Sequence, residues 1–276
     1  MPEFKRSLLW SRNLGSISAA SIAALRFLRK TAEEHDIKII ELGFPPSIIA
    51  RVRDLSTEVK KEIDDMVGSF RATCHTPMLD LSSLNEKKRK ENVDEMIASI
   101  EFSLDRGVTQ FVMHLAASGM FSFIPWPKKN ANTELIQRAG HRSFEEIMAR
   151  FEGENIILGL ENLTGHEPAF QDPKDLSTLF RKNVGLTLDT VHAISWNLDP
   201  VEMVGLYKEH LVEVHLTDGT GQGEVVKHYA LGKREGRVPL NSLLHKLEEI
   251  EFGGPVIIEV DNREDLEKSL KWLQNR

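Results

Sequence analysis

Short apolar runs alternate with longer amphipathic stretches along most of the chain. The segment 184–189, Val-Gly-Leu-Thr-Leu-Asp, sets the pattern: a few core-type residues that close on an acid. Such runs, bounded by turn-forming residues, predict parallel strands buried on both faces. Others lie at 37–42, 70–75, 109–114, 155–161, 211–215 and 255–259, and a segment at 7–10 opens the series. Apolar positions spaced at helical period predict helices over 17–35, 57–67, 86–106, 133–151, 173–180, 200–208, 240–250 and 263–273. The strand ends Glu161, Asp189 and His215 lie 28 and 26 residues apart, close to the roughly 30 residues of one parallel βαβ step. Eight βα units fill the length without a spare linker, which predicts a (β/α)8 barrel, one domain over residues 1–276. A doubly wound open sheet is the runner-up, but no glycine-rich dinucleotide loop follows an early strand.

Composition narrows the setting. The 276 residues are 41% hydrophobic, enough for a sizeable core, and the net charge is −7. That balance argues against broad nucleic-acid binding, although a local basic patch is compatible with it. One cysteine, Cys74, forbids an intrachain disulfide and fits a reducing compartment. The opening Met-Pro-Glu-Phe-Lys-Arg lacks the apolar core of a signal peptide, and no stretch is long and apolar enough to span a bilayer. A cytoplasmic protein without a membrane partner is expected, with a homo-oligomer left open.

The chemistry sits at the ends of the strands. Six consecutive runs end in His75, His114, Glu161, Asp189, His215 and Glu259. These side chains supply nitrogen and oxygen ligands to a divalent metal. Strand alternation places His75 inward and Cys74 outward, where Cys74 packs as a core thiol. Glu161, Asp189, His215 and Glu259 can then converge on one cation, with His75 and His114 available to a second. One or two ions are expected, manganese or zinc foremost. A single His or Glu at a strand end is ordinarily a hydrogen-bonded structural residue, and His141, His166 and His245 are read that way or as surface. Six in a row resist that reading, because the carboxylates among them would repel one another when buried. His192 lies just past Asp189, and His228 lies in the long loop 217–238. Glu41 ends its own strand and is read either as a substrate contact or as half of a structural salt bridge. Lys227, Lys233, Arg234 and Arg237 make the 217–238 loop basic, either as a phosphate grip or as a solvated surface. The segment 120–127 is unusually apolar for a connection and is read as a lid or as an interface.

In order along the chain stand Cys-His75-Thr-Pro, Val-Met-His114, Leu-Glu161-Asn-Leu-Thr-Gly, Leu-Asp189-Thr-Val-His192, Val-His215-Leu-Thr-Asp218, His228-Tyr-Ala-Leu-Gly232 and Ile-Glu259-Val. This series resembles the xylose isomerase-like TIM barrel superfamily. That superfamily includes sugar and sugar-phosphate isomerases and epimerases, and the AP endonuclease family 2, or endonuclease IV-like, enzymes. The resemblance spans essentially the whole chain. It implies a metal-dependent isomerase or epimerase of carbohydrate metabolism acting on a sugar or sugar phosphate. Glu161 and Glu259 would exchange a proton through an enediolate, and His192 would hold a substrate oxygen. It also implies an alternative, metal-dependent hydrolysis of a phosphodiester in abasic DNA. The endonuclease branch pairs His192 and His228 with an aspartate where this chain has Val226, and continues with Pro-Gly where this chain has Leu115-Ala116. Those departures and the negative charge favour the isomerase branch.

Overall fold

The computed structural model describes residues 22–43, 52–116, 132–164, 169–220, 226–260 and 262–276. Among them seven strands form one sheet in chain order: β1 (Ile39–Gly43), β2 (Arg71–His75), β3 (Gln110–Met113), β4 (Ile157–Glu161), β5 (Val184–Asp189), β6 (Leu211–Leu216) and β7 (Val256–Ile258). Every adjacent pair is parallel. The helices between them are α1 (Ile22–Glu34), α2 (Thr57–Val67), α3 (Glu86–Leu104), α4 (Thr133–Arg150), α5 (Pro173–Ser177), α6 (Thr190–Ser195), α7 (Pro200–Leu206), α8 (Leu240–Glu249) and α9 (Arg263–Gln274). The run at 7–10 and the apolar 120–127 segment lie outside the described residues.

The sheet curls into a nearly closed barrel. In a flat sheet β1 and β6 would lie about 24 Å apart, at about 4.8 Å per strand. Here Glu41 Oε1 on β1 is 3.4 Å from His215 Nε2 on β6. Thr73 on β2 likewise reaches Glu213 on β6 at 3.4 Å. Contacts this short between strands so far apart in the ladder require the polar faces to meet inside a cylinder.

Alternation then divides the strands into two sets. Leu158, Leu160, Leu186, Leu188, Val214 and Leu216 pack outward beneath the helices and are buried. Cys74 belongs to this set, with Ser103 of α3 at 3.6 Å, and burial raises its thiol pKa, so it is an inert core group. The inward set is strongly polar. At Gly159 it is also crowded: a Cβ there would fall 1.9 Å from Thr187 Oγ1 on β5.

The helices follow from local signals. Ser56, Asn85 and Asn262 cap α2, α3 and α9 by accepting from Val59, Lys88 and Asp265 backbone N–H groups. Arg89 of α3, fully buried, ties α3 to α4 through Ser143 and Glu146 at 2.9 and 2.8 Å. Helix α6 has no counterpart among the elements predicted from periodicity. It is only six residues long, too short to show a period, and its start is set by Asp189. Among the described residues no helix is long and apolar enough to cross a membrane.

Candidate metal centre

The strand ends meet at one mouth of the barrel. His75, His114, Glu161, Asp189, His215 and Glu259 are all buried, as are His192 and His228. Donor atoms of Glu161, Asp189, His215 and Glu259 lie within 4.8 Å of one another. Three further groups with the same spread share members with it: His75–Glu161–His215, Asp189–His192–His228 and Glu41–Glu213–His215.

Backbone and side-chain latches hold adjacent strand ends in register. Asn162, one residue past Glu161, accepts the Asp189 N–H at 2.9 Å and donates to the Asp189 carbonyl at 3.2 Å. Its own carbonyl accepts from His192 Nδ1 at 3.0 Å. Thr190 Oγ1 donates to the His215 and Thr217 carbonyls at 3.1 and 2.8 Å and accepts the Thr217 N–H at 3.0 Å. Thr76 donates from both N–H and hydroxyl to the Val112 carbonyl, at 2.9 and 2.8 Å. The strands that carry the donors are therefore pinned at β2–β3, β4–β5 and β5–β6.

Asp189 divides its carboxylate between two tasks. Oδ1 accepts the His192 N–H at 2.7 Å and caps α6. Oδ2 points inward, 3.5 Å from His228 Nε2. His228 reaches the mouth on a loop fastened by reciprocal backbone hydrogen bonds between Asp218 and Tyr229, at 2.7 and 3.3 Å. Asp218 also accepts from Gly219 and Val238 N–H groups at 2.9 and 3.2 Å. The sequence had left His192 and His228 short of an oxygen donor because Val226 replaces an acid. The fold brings Asp189 to both instead.

The donor set faces itself in a way that calls for a cation. His75 Nδ1 donates to the Thr76 carbonyl at 3.0 Å, an acceptor-only partner, so the neutral ring keeps its lone pair on Nε2. That Nε2 looks at Glu161 Oε2, another acceptor, 3.2 Å away. His114 Nε2 lies 2.6 Å from the same oxygen, and His215 Nδ1 lies 3.0 Å from Glu259 Oε2. Among the described residues Glu161 Oε1, Asp189 Oδ2 and both His215 nitrogens are buried without a hydrogen bond of ordinary geometry. Either protons or a metal ion must sit between these groups.

Without a metal the burden falls on protons. Burial works against charge on His215, but Glu41 and Glu161 raise its pKa well above the usual histidine value. Burial also opposes charge on His75, and its hydrogen bond to Glu161 with the Glu161 and Glu41 charges raises its pKa. Burial opposes the charge on Glu161 too, yet His114 and His215 hold its carboxyl well below the ordinary range. A divalent cation would balance the same carboxylate charges, and the residues fit such an ion.

The other predicted positions fall elsewhere. Glu41 faces His215 Nε2 from a layer deeper in the barrel. Lys233 and Arg234 are exposed, and Lys233 Nζ stands 3.7 Å over the Tyr229 ring. His141 lies on α4 beside Phe170, with burial lowering its pKa, and His245 is exposed. His166 lies outside the described residues. Sequence reasoning passed over Asn162, Thr190 and Glu213. Glu213 shares inward parity with His215, a signal that could have found it, whereas the hydrogen bonds of Asn162 and Thr190 to neighbouring strand backbones leave no mark in the sequence.

The family model described as xylose isomerase-like TIM barrel matches residues 29–276. The uncharacterized protein MJ1311 of Methanocaldococcus jannaschii is 30% identical over 215 residues, 72% of this chain and 68% of that protein. A crystal structure of a D-tagatose 3-epimerase-like protein superposes with a TM-score of 0.76 at 23% identity, covering 98% of this chain and 96% of that one. A crystal structure of IOLI protein with a binding zinc atom gives 0.69 at 18% identity, covering 98% and 94%. At those identities the structural likeness is one of fold.

Proposed function

Because this chain belongs to the xylose isomerase-like TIM barrel family, we propose that it is a divalent-metal-dependent isomerase or epimerase of a sugar or sugar phosphate. The observation that carries the reading is the convergence of three carboxylates and an imidazole at Glu161, Asp189, His215 and Glu259, all buried and with donor atoms within 4.8 Å of one another. These four residues would hold the ion, and manganese or zinc suits their mixed oxygen and nitrogen donors. When bound, such an ion supplies Lewis-acid polarisation of neighbouring carbonyl and hydroxyl oxygens, which acidifies the adjoining C–H.

The protein's own groups do the rest. Glu161 and Glu259 sit on separate strands across the mouth. One removes a proton beside the carbonyl and the other returns it, through an enediolate. His192 and His228, their rings 5.4 Å apart and nearly perpendicular, hold substrate hydroxyls. The protein with a D-tagatose 3-epimerase-like title and the zinc-containing IOLI protein lend fold-level support.

A second reading has its own observation. His75 and His114 lie within 3.2 Å of Glu161 Oε2, and Asp189 gathers His192 and His228. That many donors suit a multi-metal hydrolase of the endonuclease IV kind. Metal content of the purified protein, together with turnover of a sugar and sugar-phosphate panel against abasic DNA, decides between them. The isomerase reading expects proton exchange with solvent at a sugar carbon and intact DNA. Strand cleavage with no sugar turnover would sink it.

A further inference from the structure

One layer below the metal centre the barrel interior is still polar, and the proposed chemistry makes no use of it. Glu41 (β1), Thr73 (β2), Gln110 (β3) and Glu213 (β6) all face inward and are buried. Gln110 Nε2 donates to Glu213 Oε2 at 2.8 Å. Thr73 Oγ1 lies 3.4 Å from Glu213 Oε1 and 3.5 Å from Glu41 Oε2. The other Glu41 oxygen, Oε1, is aimed at His215 Nε2, 3.4 Å away, and makes no hydrogen bond of ordinary geometry among the described residues. On the opposite edge of the ring, His215 Nδ1 lies 3.0 Å from Glu259 Oε2 and 3.6 Å from Glu161 Oε1. The ring is stacked on His75, with centroids 5.7 Å apart and planes 27° apart. The His215 imidazole therefore stands between two carboxylate layers, Nδ1 toward the metal donors and Nε2 toward Glu41.

An imidazole gives a metal its Nδ1 lone pair only when the proton sits on Nε2, and a buried N–H needs an acceptor. We propose that Glu41 is a positioning residue: its carboxylate accepts the His215 Nε2 proton and fixes the tautomer and rotation of the ring. It thereby sets the affinity of the Glu161–Asp189–His215–Glu259 centre for its cation. This rests on reading that centre as a metal site. It gives Glu41 a task beneath the substrate rather than against it.

The test is zinc binding by chelator competition for the wild type, Glu41→Gln and Glu41→Ala. A carboxylate that orients a histidine ligand is worth roughly 10–100-fold in metal affinity, so both variants should weaken zinc binding by that order. The zinc-induced rise in Tm should shrink in the same variants, whereas a merely structural defect would lower the metal-free and zinc-loaded Tm together. Long-range proton–nitrogen NMR of the zinc-loaded wild type should show His215 protonated at Nε2 with slow exchange, and Glu41→Ala should speed that exchange. The isosteric Glu41→Gln keeps the test open should Glu41→Ala fail to fold. Wild-type zinc affinity and an unchanged His215 spectrum in both variants would overturn the role of Glu41 alone. A wild type that takes up neither zinc nor manganese would overturn the metal reading, and the role of Glu41 with it.

Discussion

Four histidines converge on Glu161. His75 and His114 approach one of its oxygens, and His192 and His215 approach the other. Changing Glu161 to Gln keeps the shape and removes the charge that balances those rings. We expect Glu161→Gln to lose most bound metal and most turnover with its fold intact. Metal analysis and circular dichroism check this, and full metal content with full turnover would make Glu161 merely structural. Its place at a strand end was legible from the sequence, because a buried acid closing an apolar run is conspicuous against its neighbours. Asn162 was not, since its value lies in two hydrogen bonds to the Asp189 backbone, 27 residues away in sequence. An amide side chain looks the same in a sequence whether it faces water or latches two strands. Glu41 was legible as an acid at a strand end, but its layer was not. Which face a side chain occupies follows from parity, whereas its depth depends on the register between strands.

At the scale of elements, the strands announced themselves and the short pieces did not. Seven of the eight predicted strands appear, each within two residues of its expected ends, because a buried parallel strand must be apolar along its whole outward face. Helix α6 escaped notice, as it is created by the Asp189 cap rather than by a period of its own. The β4–β5 pair shows how tightly the inner faces fit. Gly159 pairs with Gly185, and a methyl group at 159 would collide with Thr187 Oγ1. Gly159→Ala should cost about 1–3 kcal/mol by overpacking. Denaturant unfolding measures the loss. Adding Thr187→Ala should recover part of it, because the colliding hydroxyl is gone. Purely additive losses would remove the steric explanation.

For the whole molecule, the metal-free barrel should carry a pH dependence set by its interior. His215 has a raised pKa, so its contribution is complete below the ordinary histidine value and is lost as pH climbs through the raised one. Glu213 behaves alike: burial, with Glu41 beside it, pushes its carboxyl well up, and stability falls as that proton leaves. Glu161 runs the other way, contributing above the ordinary carboxylate value and losing that contribution as pH falls through its lowered one. Metal-free protein should therefore be most stable on the acid side of neutrality. Zinc must displace the His215 proton, so the gain in Tm on loading should grow from mildly acidic to mildly alkaline buffer. Thermal melts with and without chelator test this, and a gain that shrinks with rising pH would count against His215 as a ligand. The strand order adds a consequence in time. Because the donors run from His75 on β2 to Glu259 at the end of β7, no part-built chain holds the centre together. Its mutually repelling acids can be brought close only after the last strand of the set has docked. Barrel closure must then wait on long-range contacts, and a cation available during folding would act late, trapping the closed form rather than seeding it.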